Sequence, residues 1–124
     1  MGRGVAEAAK LILLVEDDPD VGPVLEHILI SAGYRVHLVP TLGEAGSLLD
    51  ARAYDLVLTD IMLPDGNGIG IADAALERGI ASMVVTGHAF QIPAAKLARH
   101  EVLLKPVRAR ELVGAIERRL AERK

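Results

Sequence analysis

Residues 56–68 read LVLTDIMLPDGNG. An apolar run of strand length leads to Asp60, and a turn-rich string carrying a second carboxylate, Asp65, follows at once. A strand buried on both faces reads as a near-continuous apolar run, and such a strand avoids unpaired charge. A carboxylate at its carboxyl end therefore calls for partners at that place. The string Pro64-Asp65-Gly66-Asn67-Gly68 predicts a turn in which Gly and Asn supply positive φ and Asp65 serves the turn itself.

The pattern around this stretch repeats. Leu11 to Val15 predicts a first strand, followed by a helix capped at Asp18 or Asp20 with Val21, Val24, Leu25, Ile28, Leu29 and Ala32 on one face, ending at Gly33. Arg35 to Val39 predicts the second strand, and Thr41-x-x-Glu44 is a capping box opening a helix with Leu42, Ala45, Leu48 and Leu49 inward. Asp55 to Thr59 predicts the third strand, with a helix from about Gly68 to Arg78 stopped by Gly79. Ile80 to Val85, a short helix from Ala89 to about Arg99, a strand from Val102 to Leu104 and a last helix from near Arg108 burying Leu112, Val113, Ile116 and Leu120 complete the series. Strands alternating with helices predict an α/β fold with parallel pairing, right-handed crossovers and helices on both faces of the sheet. Residues 1–10 show no periodicity and predict a loose leader ahead of one domain over 11–122, with no output domain.

Composition narrows the function classes. With 124 residues, 51% of them hydrophobic, the chain has one-domain length and a real core to bury. Only Tyr34, Tyr54 and Phe90 are aromatic, too few to build stacking platforms for single-stranded nucleic acid. Residues 1–107 carry 8 Lys/Arg against 14 Asp/Glu, and residues 108–124 carry 6 against 3; an acidic body argues against duplex binding, and the basic tail reads as a solvated helix face. There is no cysteine, hence no disulfide or thiolate metal site. The run from Leu11 is too short for a membrane span or signal core, and the expected setting is cytoplasmic.

Ligands of an open parallel sheet bind beyond the carboxyl ends of its strands. Those positions hold Glu16-Asp17-Asp18, Pro40-Thr41, Asp60, Thr86-Gly87-His88 and Lys105-Pro106. Adjacent first and third strands would bring Glu16, Asp17 and Asp60 together, and like charges ~5 Å apart repel by roughly 3 kcal/mol at an effective dielectric near 20. Hard carboxylate oxygens without His or Cys suit Mg²⁺ or Mn²⁺. Lys105 would add a point charge and Thr86 a hydroxyl aimed at the same crevice, a set equipped for phosphoryl transfer with a carboxylate nucleophile. His27, His37 and His100 read as surface or helix-end residues, and GNGIG lacks the lysine and Ser/Thr of a phosphate loop.

The strings LILLVEDD, LVLTDIMLPDGNG, VVTG and LLKP, in this order, resemble the receiver domain of two-component response regulators over residues 11–122. The resemblance implies a flavodoxin-like, doubly wound five-stranded parallel sheet of strand order 2-1-3-4-5. It implies Asp60 as phosphoacceptor; Asp17, Asp60 and the Met62 carbonyl as direct ligands of Mg²⁺ or Mn²⁺; and Glu16 as a ligand through water. Thr86 and Lys105 would contact the phosphoryl group, with a cis peptide before Pro106. Met62 and His88 fall where residues tune the lifetime of the acyl phosphate. The implied partners are a histidine kinase or phosphotransfer protein and a downstream protein target, with a homodimer through the last helices as a further expectation and neither nucleic acid nor membrane bound directly. Such a module modifies itself and is no enzyme toward an external substrate.

Three departures from the family pattern stand out. Val102 replaces the usual Tyr or Phe three residues before the lysine, and Val107 follows Lys-Pro where Phe is frequent. The segments from Asp60 to Thr86 and from Thr86 to Lys105 are each a few residues short, which predicts short or displaced third and fourth helices; Phe90 is the candidate substitute for the missing ring. These departures define one rival, an interaction module that signals without phosphorylation. A second rival is a phosphatase of the aspartyl-phosphate type. Met62 stands where that enzyme has its second Asp, and the length leaves no room for its cap domain.

Overall fold

The computed structural model describes residues 9–87 and 93–122. In chain order the elements are β1 (Leu11–Val15), α1 (Val21–Ser31), β2 (Arg35–Val39), α2 (Leu42–Ala51), β3 (Leu56–Thr59), β4 (Met62–Leu63), β5 (Gly66–Asn67), α3 (Ile69–Glu77), β6 (Ala81–Thr86), α4 (Ala94–Leu97), β7 (Glu101–Leu104) and α5 (Ala109–Ala121). The five longer strands form one sheet of order β2-β1-β3-β6-β7, parallel throughout. Once the two short strands are set aside, this is the expected 2-1-3-4-5 order. None of the described helices is long and apolar enough to cross a membrane.

Alternation along the strands divides the core. Ile12, Leu14, Leu56, Leu58, Met83, Val85 and Leu103 face α1 and α5, meeting Leu25, Leu29, Leu112 and Ile116. Leu11, Leu13, Val15 and Val57 face α2 and α3, meeting Ala45, Leu49, Ile71 and Ala75. Both faces of the central strands are covered, which is why every residue of β1, β3 and β6 is buried and why β1 is wholly apolar and β3 and β6 largely so. A third, smaller cluster of Ile61, Ile69, Ala72 and Val84 takes in Val102 at its edge, so the position expected to lack a ring is packed among aliphatic side chains.

Several expectations shift. Val24 is 58% exposed, because the buried stripe of α1 runs through Gly22, Leu25 and Leu29 and turns Val24 toward solvent; Ala32, past the helix end, is exposed too. Val113 and Leu120 are half-buried, and Ala115 takes the inward position between Leu112 and Ile116. Thr86 is the last residue of β6 rather than the first beyond it. The shortened helices are as expected: α3 runs for nine residues and α4 for four, with Pro93 at the N-cap of α4. Residues 89–92 of the expected fourth helix, and with them Phe90, lie outside the described residues, as does most of the expected leader, residues 1–8.

The stretch after β3 departs most. It is a hairpin, with Met62 opposite Asn67 and Leu63 opposite Gly66, turning at Pro64 and Asp65. Among the described residues only Gly33, Gly66 and Gly79 have positive φ. Asn67 and Gly68 do not, and Gly68 is required for another reason: a Cβ there would overlap the Asp60 carbonyl oxygen.

Candidate functional site

Parallel pairing of β1 with β3 sets Val15 beside Thr59, so the residues following each strand emerge side by side. Glu16, Asp17 and Asp60 accordingly offer carboxylate oxygens that all lie within 4.8 Å of one another. Glu16 and Asp60 are buried and Asp17 is exposed, leaving the group open to solvent on one side. These residues line a crevice with Met62, Gly87 and Lys105, at the carboxyl edge where the sheet order reverses around β1 and β3.

Lys105 holds the group together. Its Nζ donates to Glu16 Oε1 at 2.7 Å and to Asp60 Oδ2 at 3.1 Å. Its position follows from β7 pairing with β6, with the Lys105 amide donating to the Thr86 carbonyl at 3.0 Å, and the Lys105-Pro106 peptide is cis. Asp60 Oδ1 accepts from the Ile61 amide at 2.7 Å, and Glu16 Oε2 accepts from the Asp18 amide at 3.1 Å.

The electrostatics carry a conflict. Burial pushes the Glu16 carboxyl above its ordinary value, outweighing the Lys105 and Asp18 hydrogen bonds that favour its anion. A carboxyl raised in this way contributes stability at acid pH that is lost as pH rises through its folded value. Burial alone would pull the Lys105 ammonium down, but its bonds to Glu16 and Asp60 outweigh that and raise it, so it stays cationic at neutral pH. One ammonium thus faces three carboxylates. Hard oxygen donors in mutual repulsion, partly open to water, fit a hydrated divalent cation of the Mg²⁺ or Mn²⁺ kind.

The remaining expected residues are placed as follows. Asp18 does cap α1: its Oδ1 accepts from the Asp20 amide at 2.8 Å and the Val21 amide at 3.2 Å, which holds its pKa below the ordinary carboxylate value, while Asp20 makes no side-chain cap. Met62 is half exposed and borders the crevice. Thr86 is fully buried at the end of β6, on the sheet face of Ser82 and Val84, one residue before Gly87 at the crevice wall. His88 lies outside the described residues. Asp65 does more than serve its own turn: its carboxylate accepts from the Leu42 amide at 2.8 Å and the Gly43 amide at 2.9 Å, capping α2.

Two histidines expected at the surface have partners instead. His37 lies in β2, its Nδ1 2.8 Å from the Tyr54 hydroxyl. The His100 side chain is wholly buried, with Nδ1 2.8 Å from Ser82 Oγ and Nε2 2.7 Å from Asp73 Oδ1. Ser82 is itself fully buried, so this chain of polar groups, open to solvent only at Asp73, ties α3 and β6 to the residue just before β7. His27 is exposed, as expected. Replacing His100 with Ala strands the Ser82 hydroxyl in a void and should destabilise the domain by about 2–4 kcal/mol in urea unfolding. A loss below ~1 kcal/mol would show that the tie contributes little.

The model of the response regulator receiver domain matches residues 12–117. Among relatives, the response regulator receiver protein CpdR of Brucella abortus is 37% identical over 90% of this chain and 97% of its own length. The transcriptional regulatory protein TorR of Escherichia coli is 29% identical over 86% of this chain, which spans only 48% of that protein. Among solved structures, a CheY-like receiver domain from Methanospirillum hungatei superposes with a TM-score of 0.86 at 31% identity, over 93% of this chain and 96% of that one. The non-phosphorylated HemR receiver domain from Leptospira biflexa gives 0.79 at 31%, over 93% and 97%. With a sheet of the same order, an acidic group at its reversal point and these likenesses across nearly its whole length, the chain belongs to the response regulator receiver domain family of two-component systems.

Proposed function

We propose that this receiver domain accepts a phosphoryl group on Asp60 from a histidine kinase or phosphotransfer protein, in a reaction dependent on Mg²⁺ or Mn²⁺, and passes the signal on through altered protein contacts. The observation that carries this reading is Lys105 Nζ bridging Glu16 and Asp60 within a group of three carboxylates. Asp17, Asp60 and the Met62 carbonyl would hold the cation directly and Glu16 through water. The bound cation supplies charge neutralisation at the phosphoryl oxygens.

The chain's own residues do the rest. A carboxylate oxygen of Asp60 attacks phosphorus; an O–P bond forms as the donor's N–P or O–P bond breaks, and the donor leaves with the electron pair. Lys105, which already touches that carboxylate, would pair with the incoming charge, and the Thr86 hydroxyl would be recruited to a phosphoryl oxygen. Asp60 is held ready for this, since the Ile61 amide fixes one of its oxygens. Met62, half exposed beside the crevice, would govern water access and hence the lifetime of the acyl phosphate, and His88 is the second candidate for that role.

Incubation of the chain with acetyl phosphate and Mg²⁺ should add the mass of one phosphoryl group, and the same incubation with excess chelator should add none. Labelling that survives complete removal of divalent cations would overturn the metal requirement. No labelling under either condition would favour the module that signals unmodified.

A further inference from the structure

We infer that Asp65 is a positioning residue for the cation site, acting by fastening the hairpin that carries Met62 to the N-terminus of α2. The inference rests on the function proposed above and adds to it a residue outside the crevice.

The backbone donors of α2 show how the fastening works. A helix leaves its first four amides without helical partners. In α2 these belong to Thr41, Leu42, Gly43 and Glu44, since Ala45 makes the first helical bond, to the Thr41 carbonyl; Glu44 donates to the Thr41 hydroxyl at 3.2 Å, and Leu42 and Gly43 donate to the two oxygens of Asp65. Half of this cap therefore comes from a residue more than twenty positions downstream. A carboxylate at a helix N-terminus also faces the positive end of the helix dipole.

The hairpin is gripped on its other sides as well. Leu63 packs into the cluster that contains Ala45 and Leu49 of α2, with Leu42 against it. Gly66 comes so close to α2 that a Cβ would lie 2.9 Å from Leu42 Cδ1. At the far end the Gly68 amide donates to the Ile61 carbonyl at 2.7 Å. Alternation along β4 puts Leu63 on the buried side and leaves Met62 at the crevice. Between these grips the one polar link across to α2 at the turn, among the described residues, is Asp65, and a hairpin of two-residue strands has little rigidity of its own. Releasing that link frees the backbone around Met62 without touching any residue of the crevice.

The test compares two halves of the same cap. Thr41→Ala removes the local half and Asp65→Ala the half that reaches the hairpin. Mg²⁺ affinity of the full chain is measured by calorimetry, amide exchange at Leu63 and Asn67 by NMR, and α2 stability by urea unfolding. Asp65→Ala should weaken Mg²⁺ binding about tenfold, as loss of an outer support of a metal site commonly does, and speed exchange in the hairpin. Thr41→Ala should destabilise α2 comparably and leave Mg²⁺ affinity within about twofold of wild type. Unchanged affinity in Asp65→Ala, or equal weakening in both variants, would overturn the inference. If Asp65→Ala fails to fold, Asp65→Asn, which keeps the volume and one acceptor oxygen, is measured in its place and should show an intermediate loss. A wild-type chain that binds no Mg²⁺ would instead overturn the proposed function, which separates the two failures.

Discussion

Asp60→Asn should take up no phosphoryl label from acetyl phosphate and Mg²⁺ under conditions that label the wild type. The substitution keeps the shape of the side chain, and its amide oxygen can still accept from the Ile61 amide, so the end of β3 is preserved. What it removes is the anionic oxygen that Lys105 Nζ meets at 3.1 Å and that would form the O–P bond. An amide is not a nucleophile toward phosphorus, so the initial rate should fall by at least about 10³-fold. The variant also reduces the repulsion among carboxylates within 4.8 Å of one another, so a general loss of stability should not accompany the loss of labelling. Equal labelling of variant and wild type would move the nucleophile to another carboxylate and remove the central claim.

Gly68→Ala should be the most damaging single methyl group in this part of the chain. Gly68 has φ −65°, which any residue adopts, so the torsion is no obstacle. The obstacle is space: the new Cβ would overlap the Asp60 carbonyl oxygen and sit 2.7 Å from Thr59 Oγ1 and 2.9 Å from the Asp60 carbonyl carbon. Backbone cannot swing aside as a side chain can, so either α3 backs away from β3 or Asp60 is displaced. A destabilisation of about 3 kcal/mol, at the upper end for overpacking, is expected, together with slower phosphoryl uptake in whatever fraction folds. Gly70→Ala is the control, because a Cβ there meets nothing within 4 Å. Inside α3 that change should stabilise by roughly 0.5–1 kcal/mol. Similar unfolding midpoints for the two variants would show that the close approach at Gly68 is readily relaxed.

The parts of this architecture written in contiguous residues were legible in the sequence. Largely apolar runs mark β1, β3 and β6 because both faces of those strands are covered, and Glu16, Asp17, Asp60 and Lys105 could be placed together because strand ends converge in a parallel sheet. The Thr41 cap was legible for the same reason, its partner lying three residues away. The rest depends on distant partners. Nothing local to Asp65 distinguishes a residue serving its own turn from one capping a helix on the far side of the hairpin. His100 has no helical or strand period to mark it as buried, and its burial depends on Ser82 and Asp73, each on a different element. The hairpin leaves no mark in the sequence, because strands of two residues carry too little alternation to show a period.

Strands of two residues joined by a two-residue turn also leave no slack. One residue inserted between Leu63 and Gly66 would shift the carboxylate of Asp65 by about 3.3 Å along the chain, farther than hydrogen bonds of 2.8 and 2.9 Å to Leu42 and Gly43 can follow. One residue deleted would pull Gly68 off the carbonyl of Ile61 or open the pairing of Met62 with Asn67. The side chain at the exposed position Pro64 can vary, but the number of residues from Asp60 to Gly68 cannot. Surface loops ordinarily absorb changes of length; this one, though on the surface, is a spacer of fixed length, and insertions among this chain's relatives are expected to fall in other loops.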